Sequence, residues 1–297
     1  DDGSVVTWGT AYFGGDSSSV AGKLQEGVVQ VAGSSSVFAA VKKDGSVVTW
    51  GKVASGGDSS SVADKLQEGV VQVAGNGHAF AAIKDDGSVV TWGNAASGGD
   101  SSSVADKLQE GVVEIAGNSN AFAAIKVDGS VVTWGYADFG GSSVADKLQE
   151  GVVEVVGNHS AFAAIKVDGS VVTWGTADRF GDSSSVADKL QEGVVQVAGN
   201  GHAFAAVKDD GSVVTWGKVA SGGDSSSVAD KLQEGVVQVV GNYFAFAAIK
   251  VDGSVVTWGA AAYGGDSSSV ADKLQEGIVE QIAVVTALRW QTNFNIV

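Results

Sequence analysis

The sequence predicts an all-β fold, a seven-bladed β-propeller, from three observations. The string Ser-Val-Val-Thr-Trp-Gly occurs seven times, with its tryptophan at Trp8, Trp50, Trp92, Trp134, Trp174, Trp216 and Trp258. Successive tryptophans are 42 residues apart except for one interval of 40, a period typical of propeller blades. In every predicted strand both faces carry apolar or small residues, so both faces of each sheet must be covered.

Each repeat contains three predicted strands and one long connection. In the copy that ends at Trp92, the strands cover residues 70–74, 79–84 and 88–92, and they are rich in the β-branched and aromatic residues that strands favour. Asp85, Asp86 and Gly87 separate the second strand from the third. An Asp-Gly pair between two apolar segments predicts a tight hairpin.

The third strand shows why the sheets must pack on one another. Val89 and Thr91 lie on one face, and Val90 and Trp92 lie on the other, because side chains alternate along a strand. The repeat has no segment long enough for a crossover helix that would cover either face. We therefore expect neighbouring copies of the sheet to be the covering layers. The seven tryptophans are then core residues between blades and not rings that stack on sugars or bases.

The connection after each Trp-Gly pair is predicted to contain one or two helical turns. Within residues 61–69, Ser61 occupies an N-cap position, Asp64 the capping-box position, and Gly69 can end the helix. Val62 and Leu66 are four residues apart and would share one face of that helix. A tight loop around a fourth strand is the alternative.

The ends of the chain favour a closed ring over an open β-solenoid. Residues 2–9 match a third strand with no first or second strand before them, and residues 278–290 supply the remaining strands. If these segments complete one blade, seven blades close into a single domain over residues 1–297 without an unpaired sheet edge. An open stack would need polar capping repeats, which the sequence lacks.

Composition narrows the classes of partner. The net charge is −16, and residues 52–93 alone carry five acidic against three basic residues, so the acidity is spread over the repeats. Nucleic acid and anionic membrane surfaces require a basic footprint and are poor partners, whereas a basic protein, a cation or a neutral glycan fits. No apolar segment is long enough to span a membrane. Because the chain starts at Asp1 and contains no Met, we expect a processed or excised segment.

Two segments of the repeat resemble a known family. Residues 75–83, Gly-Asn-Gly-His-Ala-Phe-Ala-Ala-Ile, and 86–93, Asp-Gly-Ser-Val-Val-Thr-Trp-Gly, are similar to the repeat of the regulator of chromosome condensation family. That repeat has a Gly-x-x-His-x-x-Ala-Leu second strand, an acidic-Gly turn and a Val-x-x-Trp-Gly third strand. The resemblance covers residues 2 to about 283 and implies a seven-bladed propeller.

The chain also departs from the family pattern. The family's Gly-Gln-Leu-Gly segment is replaced by Gly-Gly-Asp-Ser-Ser-Ser, and the His survives only at His78 and His202. The Gly-Trp-Arg-His motif of the family's plant ultraviolet-B photoreceptor has no counterpart, which argues against light sensing. Nucleotide exchange on a small GTPase, known for the founding member, depends on loop features that cannot be placed on this sequence.

No constellation of catalytic residues stands out, so we expect no enzyme. His78, His159 and His202 lie in loops of different repeats, with no acidic residue at a matching spacing, which favours packing at the blade rim over a metal site. The chain has no Cys, and its Ser-rich loops have no adjacent His to activate a serine. One Asp in each Gly-Gly-Asp loop is far short of the about six to eight oxygens that Ca²⁺ requires. No metal and no cofactor is therefore predicted.

Variation between the copies is concentrated in two places, the turn between the first and second strands and the segment after Trp-Gly. Both flank strand ends, so we expect them to form the rims of the ring, where propellers recognise partners. Drift in unconstrained loops would produce the same variation. The candidate binding residues are Tyr12, Phe13, Asn76, His78, Asn118, Asn120, Tyr136, Phe139, His159, Arg179, Phe180, His202, Tyr243, Phe244 and Tyr263.

Three functions are compatible with these features. The first is a non-enzymatic scaffold that binds a protein through one rim of the ring. The second is a lectin-like, glycan-binding propeller in which Tyr12, Tyr136, Tyr243 and Tyr263 stack on sugars. The third is a purely structural module of a larger surface or assembly protein, which the near-identity of the copies favours. That near-identity also fits a designed consensus sequence.

Overall fold

Six of the repeats fold into three-stranded antiparallel sheets in which consecutive strands are neighbours. The computed structural model describes residues 2–140, 145–176 and 181–274, and these ranges contain six such sheets. We number them sheets 1 to 6 in chain order. Their strands are β1 Val28–Gly33, β2 Val37–Lys42 and β3 Val47–Gly51; β4 Val70–Gly75, β5 Ala79–Lys84 and β6 Val89–Gly93; β7 Val112–Gly117, β8 Ala121–Lys126 and β9 Val131–Gly135; β10 Val152–Gly157, β11 Ala161–Lys166 and β12 Val171–Gly175; β13 Val194–Gly199, β14 Ala203–Lys208 and β15 Val213–Gly217; and β16 Val236–Gly241, β17 Ala245–Lys250 and β18 Val255–Gly259.

Short helices lie in the connections between the sheets. Among the described residues, one is a single α-helical turn, Ala137–Gly140, and the others are 3₁₀ helices. None of the helices in the described ranges has the length and apolar character needed to cross a membrane. The 3₁₀ helices are Ala11–Phe13, Ser18–Lys23, Val53–Ser55, Ser60–Leu66, Ala95–Ser97, Ser102–Leu108, Ala145–Leu148, Ser184–Leu190, Val219–Ser221, Ser226–Leu232, Ala261–Tyr263 and Ser268–Leu274.

The chain forms two compact units, Asp1–Gly181 and Asp182–Val297. The first contains sheets 1 to 4, and the second contains sheets 5 and 6. The predicted closing strands, residues 278–290, lie outside the described residues. The seventh blade, the closure of the ring and the single domain over residues 1–297 therefore stay predictions.

Neighbouring sheets within a unit share their hydrophobic cores. One face of β5, with Phe80, packs on Val37 and Ala39 of sheet 1. The other face, with Ala81, packs on Phe122 of sheet 3. The same arrangement joins sheets 3 and 4, and, in the second unit, sheets 5 and 6. The prediction that copies of the sheet cover one another is confirmed within each unit.

The repeat tryptophan lies in the core between two sheets. The Trp92 ring stacks on Phe80 of the same sheet with the centroids 5.4 Å apart, and its indole N–H donates to the carbonyl of Gly56 in the preceding repeat, 3.1 Å away. Gly56 has a φ of +104°, and a Cβ there would lie 2.9 Å from the Phe80 ring, so glycine is required. Six of the seven repeat tryptophans are 5% exposed or less. Trp50, Trp134 and Trp258 make the same bond to a glycine carbonyl.

Trp174 is buried without this hydrogen bond. The connection that would supply its acceptor is two residues shorter than the others and begins with the α-helical turn Ala137–Gly140. Gly140 takes the place of Gly56 in this repeat, and its N–H donates to the carbonyl of Tyr136, four residues back, whereas the N–H of Gly56 donates to that of Val53, three residues back. Among the described residues, the indole nitrogen of Trp174 has no hydrogen-bond partner. The indole nitrogen of Trp216 likewise has no partner among the described residues, so the bond is made by four of the six buried repeat tryptophans.

Trp8 differs from the other six, and its place in a core stays a prediction because the strands expected to cover it lie outside the described residues. It is 84% exposed, and residues 2–10 form no strand in the structure. In each described sheet, the tryptophan is covered by a phenylalanine from the second strand, as Phe38 covers Trp50. For Trp8 that second strand is predicted within residues 278–290, which lie outside the described residues.

The connection helices begin differently from the prediction. Residues Ser60–Leu66 form a 3₁₀ helix, and the side chain of its N-cap residue makes no capping bond, so the assignment of Ser61 and Asp64 to a capping box is wrong. Instead, the Asp58 carboxylate accepts the N–H of the first helical residue at 2.9 Å. Leu66 at the other end is 2% exposed and anchors the helix in the core between sheets 1 and 2.

The Asp-Gly hairpins between the second and third strands are confirmed. Gly87 has a φ of +75°, the left-handed conformation that such a turn requires. In the equivalent turn of sheet 3, the Asp128 carboxylate accepts the hydroxyl of Ser130 at 2.7 Å and its N–H at 2.9 Å. These two bonds stabilise the ionised carboxylate and lower the pKa of Asp128.

The first strands of neighbouring sheets are also linked by polar contacts. The Gln30 side-chain amide donates to the carbonyl of Val73 at 3.3 Å and accepts its N–H at 3.1 Å. A Cβ added to Gly75 would lie 2.8 Å from the carbonyl oxygen of Gly33, so the two strands approach closely at this end. Gln196 makes the same pair of bonds to Val239 in the second unit.

The contrast between Trp92 and Trp174 leads to a prediction. Replacing either tryptophan by phenylalanine removes similar buried apolar area, but only Trp92→Phe breaks a hydrogen bond. Trp92→Phe should lower the free energy of unfolding by about 1 kcal/mol more than Trp174→Phe. Urea unfolding of the two variants beside the parent chain measures the difference. Equal losses would contradict the role assigned to the bond with Gly56.

Candidate binding surface

The two variable regions meet at one end of each sheet. The N–H of Asn94, directly after β6, donates to the carbonyl of His78 in the turn between β4 and β5, 3.0 Å away. The equivalent bond joins Ala260 to Phe244 at 3.0 Å in sheet 6. We call this the loop end of the sheets, and we call the opposite end, with the Asp-Gly turns, the hairpin end. The variable residues therefore form one surface on each sheet and are not divided between two rims.

The loop end is held by buried asparagines, and this corrects the assignment of Asn76 and Asn118 to the binding rim. Asn76 is 5% exposed and Asn118 6%. The Asn76 carboxamide oxygen accepts the N–H groups of His78 and Ala79, both at 2.8 Å. Its NH₂ group donates to the carbonyl of Ser97, 2.6 Å away in the segment after the third strand. Each asparagine thus ties the turn to the neighbouring segment and is not available to a partner.

The same contact positions the aromatic residues. The NH₂ group of Asn118 donates to the carbonyl of Phe139 at 2.9 Å, and that of Asn242 donates to the carbonyl of Tyr263 at 2.7 Å. Asn242 is absent from the residues predicted from the sequence, although it occupies the same position in its repeat as Asn76. That equivalence is the signal that would have identified it.

Backbone hydrogen bonds also run from one turn to the next. The N–H of Gly77 donates to the carbonyl of Ser119, and the N–H of Ser119 donates to that of His159, at 3.1 and 3.2 Å. In the second unit, the N–H of Gly201 donates to the carbonyl of Tyr243 at 3.1 Å. The backbone of the loop end is therefore braced both within and between sheets.

Two aromatic groups lie at the loop end of the first unit. Tyr12 and Phe13 pack edge to face, with centroids 5.2 Å apart, and each is more than half exposed. The ammonium nitrogen of Lys52 lies 5.4 Å from the Tyr12 ring centroid, a cation–π distance. This contact was not predicted, although Lys52 occupies a variable position.

The second group of the first unit contains Tyr136, Phe139 and His159. Tyr136 is 49% exposed and packs edge to face on Phe139 at 5.6 Å. The Phe139 ring lies 6.2 Å from the imidazole of His159, which comes from the next sheet. The structure thus brings His159 of one loop against Tyr136 and Phe139 of another.

A larger group occupies the second unit. The rings of His202, Tyr243, Phe244 and Tyr263 form a continuous cluster with neighbouring centroids 5.0, 4.7 and 4.4 Å apart, in that order. Tyr243 is 51% and Tyr263 56% exposed, whereas Phe244 and His202 are half-buried. We call these four residues the aromatic platform. Its two exposed tyrosines and Phe244 belong to sheet 6, and His202 belongs to the neighbouring sheet 5.

The other predicted site residues have more ordinary surroundings. His78 is exposed, and Asn120 is half-buried, with its carboxamide oxygen accepting the Ser97 hydroxyl at 3.3 Å. Arg179 and Phe180 lie outside the described residues. In the part of the chain that the structure describes, no three His, Asp or Glu side chains are grouped so that they could hold a metal ion. The candidate residues that the structure brings together therefore offer aromatic surfaces for contact with a partner.

Solved structures show which fold the chain has. Human WBSCR16 matches with a TM-score of 0.53 at 18% identity, over 78% of this chain and 77% of that protein. Prp20p from Saccharomyces cerevisiae, studied for its binding to Gsp1p and histones, has a TM-score of 0.50 at 15% identity, over 78% and 72%. Yeast RCC1 (Prp20) bound to Kap60 matches at 0.50 and 16%, over 78% and 70%.

The likeness is one of fold alone at these identities. No protein-family model and no curated protein sequence matches the chain. The structure matches nevertheless show an RCC1-like β-propeller fold, in agreement with the family resemblance noted in the repeat.

The asparagine contact makes a prediction about sheet 1, where Ser34 stands in place of Asn76. Within the described residues, the buried Ser34 hydroxyl has no hydrogen-bond partner. Ser34→Asn should therefore raise the free energy of unfolding by about 1 kcal/mol, since it supplies the missing bonds to the turn. Asn76→Ser should lower it by about 1–3 kcal/mol because it removes three hydrogen bonds at a buried site. Thermal and urea unfolding measure both, and a neutral or destabilising Ser34→Asn would refute the role given to the asparagine.

Proposed function

We propose that the chain is a non-enzymatic scaffold that binds a partner protein through the loop end of its sheets. The observation that carries this proposal is the aromatic platform, where Tyr243 and Tyr263 are each about half exposed on a braced surface. In this proposal the scaffold is the seven-bladed ring over residues 1–297, closed by residues 2–9 and 278–290.

The physical argument concerns where binding energy can come from. Interface hot spots are enriched in Tyr, Trp and Arg, and a few such residues supply most of the affinity. A tyrosine on a rigid support loses little conformational entropy when a partner covers it. Tyr263 meets both conditions, because its carbonyl is bonded to Asn242 and its ring packs on Phe244. The repeats supply a constant framework, and the variable loops supply the contacts.

The structural matches support a role in protein binding by analogy of fold. Prp20p binds Gsp1p and histones, and yeast RCC1 is found bound to Kap60. Analogy of fold does not transfer a particular partner. The net charge of −16 favours a basic partner protein and disfavours nucleic acid.

Selection from a random peptide library displayed on phage tests the proposal. We expect the chain to recover peptides whose affinity falls at least about tenfold in the double variant Tyr243→Ala/Tyr263→Ala, since both exposed rings are lost. The control is Val251→Ala, because Val251 is 67% exposed at the hairpin end of the same sheet. Its affinity for the same peptides should equal that of the parent chain.

Two results would count against this function. If the recovered peptides bind the parent chain and the double variant with equal affinity, the loop end is not the binding surface. The glycan-binding alternative would be favoured if the phage selection recovered no peptide and the parent chain bound to a glycan array. The double variant should then fail to bind the same glycans. Unfolding curves of all variants verify that they are folded.

A further inference from the structure

The rings of the aromatic platform differ from the residues at the same positions in other copies. Tyr243 and Phe244 stand where sheet 2 has Gly77 and His78, and Tyr263 stands where sheet 2 has Ser97. The Tyr263 ring packs on Phe244 at 4.4 Å with the planes tilted by 46°. Since 56% of Tyr263 is exposed, much of its surface remains accessible while Phe244 fixes its position.

The same end of the first unit shows what such a ring can bind. Lys52 places its ammonium group 5.4 Å from the centroid of Tyr12. Tyr12 and Tyr263 both lie in a short 3₁₀ helix after a Trp-Gly pair, with Tyr263 one position later in its repeat than Tyr12. Among the described residues, no Lys or Arg lies over the ring of Tyr263. A tyrosine of this loop therefore accepts a cation within the chain in one repeat and presents an accessible ring in another.

The negative charge of the chain also favours a cationic ligand. The face of an aromatic ring carries negative electrostatic potential, and the whole chain carries a net charge of −16. An approaching cationic side chain is attracted by the field of the protein at long range and by the ring at contact. A guanidinium group is planar, weakly hydrated and able to stack on an aromatic face, so arginine suits this surface better than lysine.

From these observations we propose that the aromatic platform binds an arginine side chain of a peptide segment of the partner protein, with the guanidinium over the ring of Tyr263. The proposal rests on the protein-binding function above and adds the chemical class of the segment that is recognised. It commits to one contact, a cation on an aromatic face, in place of a general apolar contact.

Two substitutions separate this contact from apolar burial and from bulk charge. Tyr263→Phe keeps the ring, whereas Tyr263→Leu keeps apolar volume and removes the aromatic face. Both leave the net charge unchanged, so long-range attraction is the same in each. The probe is a fluorescein-labelled peptide of repeated arginine, serine and glycine, and its matched form carries citrulline, an uncharged analogue, in place of arginine.

Fluorescence anisotropy at physiological salt gives the affinities. The arginine peptide should bind the parent chain and Tyr263→Phe equally and should bind Tyr263→Leu about 2- to 30-fold more weakly, the range expected for loss of a cation–π contact. The citrulline peptide should bind all three chains weakly and equally. Val251→Leu at the hairpin end should match the parent chain with both peptides.

Equal binding of the arginine peptide to Tyr263→Phe and Tyr263→Leu would overturn the proposal, as would a citrulline peptide that binds as tightly as the arginine one. Either result leaves the proposed function standing if peptides from the phage library still depend on Tyr243 and Tyr263. If the affinity of the library peptides is unchanged in Tyr243→Ala/Tyr263→Ala, the proposed function itself is refuted.

Discussion

The structure depends on one constraint, that the middle strand of every sheet is apolar on both faces. Such a strand cannot face water on either side, and the described part of each repeat has no helix long enough to cover it. The neighbouring sheets do so instead: Phe80 faces sheet 1, and Ala81 faces sheet 3. The alternation of a large aromatic face with a small alanine face lets successive sheets interlock closely. Stability in this chain therefore belongs to pairs of sheets more than to any single sheet.

This constraint also explains where variation is allowed. The strands contribute to two cores at once, and the tryptophan lies in the core between two sheets, so a change at either place affects two sheets. The loop end lies outside these strands, and the asparagine bonds hold it in place. Tyr243, Phe244 and Tyr263 replace smaller residues there, while β17 and β18 beneath them keep their regular pairing. A repeated framework thus gains distinct surface chemistry at individual loops, which is the property expected of a binding scaffold.

Much of the fold could be predicted from the sequence, and the rest could not, for identifiable reasons. The strands and the Asp-Gly hairpins follow from alternation and turn chemistry, which are local. The bond from Trp92 to Gly56 and the contact of Lys52 with Tyr12 join residues about forty positions apart, and no local pattern reveals them.

The asparagines and the connection helices were misjudged because a polar residue in a variable loop has the same local sequence whether it caps a turn or faces solvent. Asn76 satisfies backbone groups inside the loop end, and Asp58, not Ser61, caps the helix that follows. The aromatic residues of the candidate site were found from their variation between copies. Their grouping into the aromatic platform required the fold, since His202 and Tyr243 belong to different sheets.

The shared core is tested most directly by amide hydrogen exchange in the variant Phe122→Ala. Phe122 belongs to sheet 3 but packs on Ala79 and Ala81 of sheet 2, and its truncation should cost about 3–5 kcal/mol. If cores are shared between sheets, exchange in β5 should accelerate together with exchange in β8. Loss of protection confined to sheet 3, with β5 as protected as in the parent chain, would contradict the account.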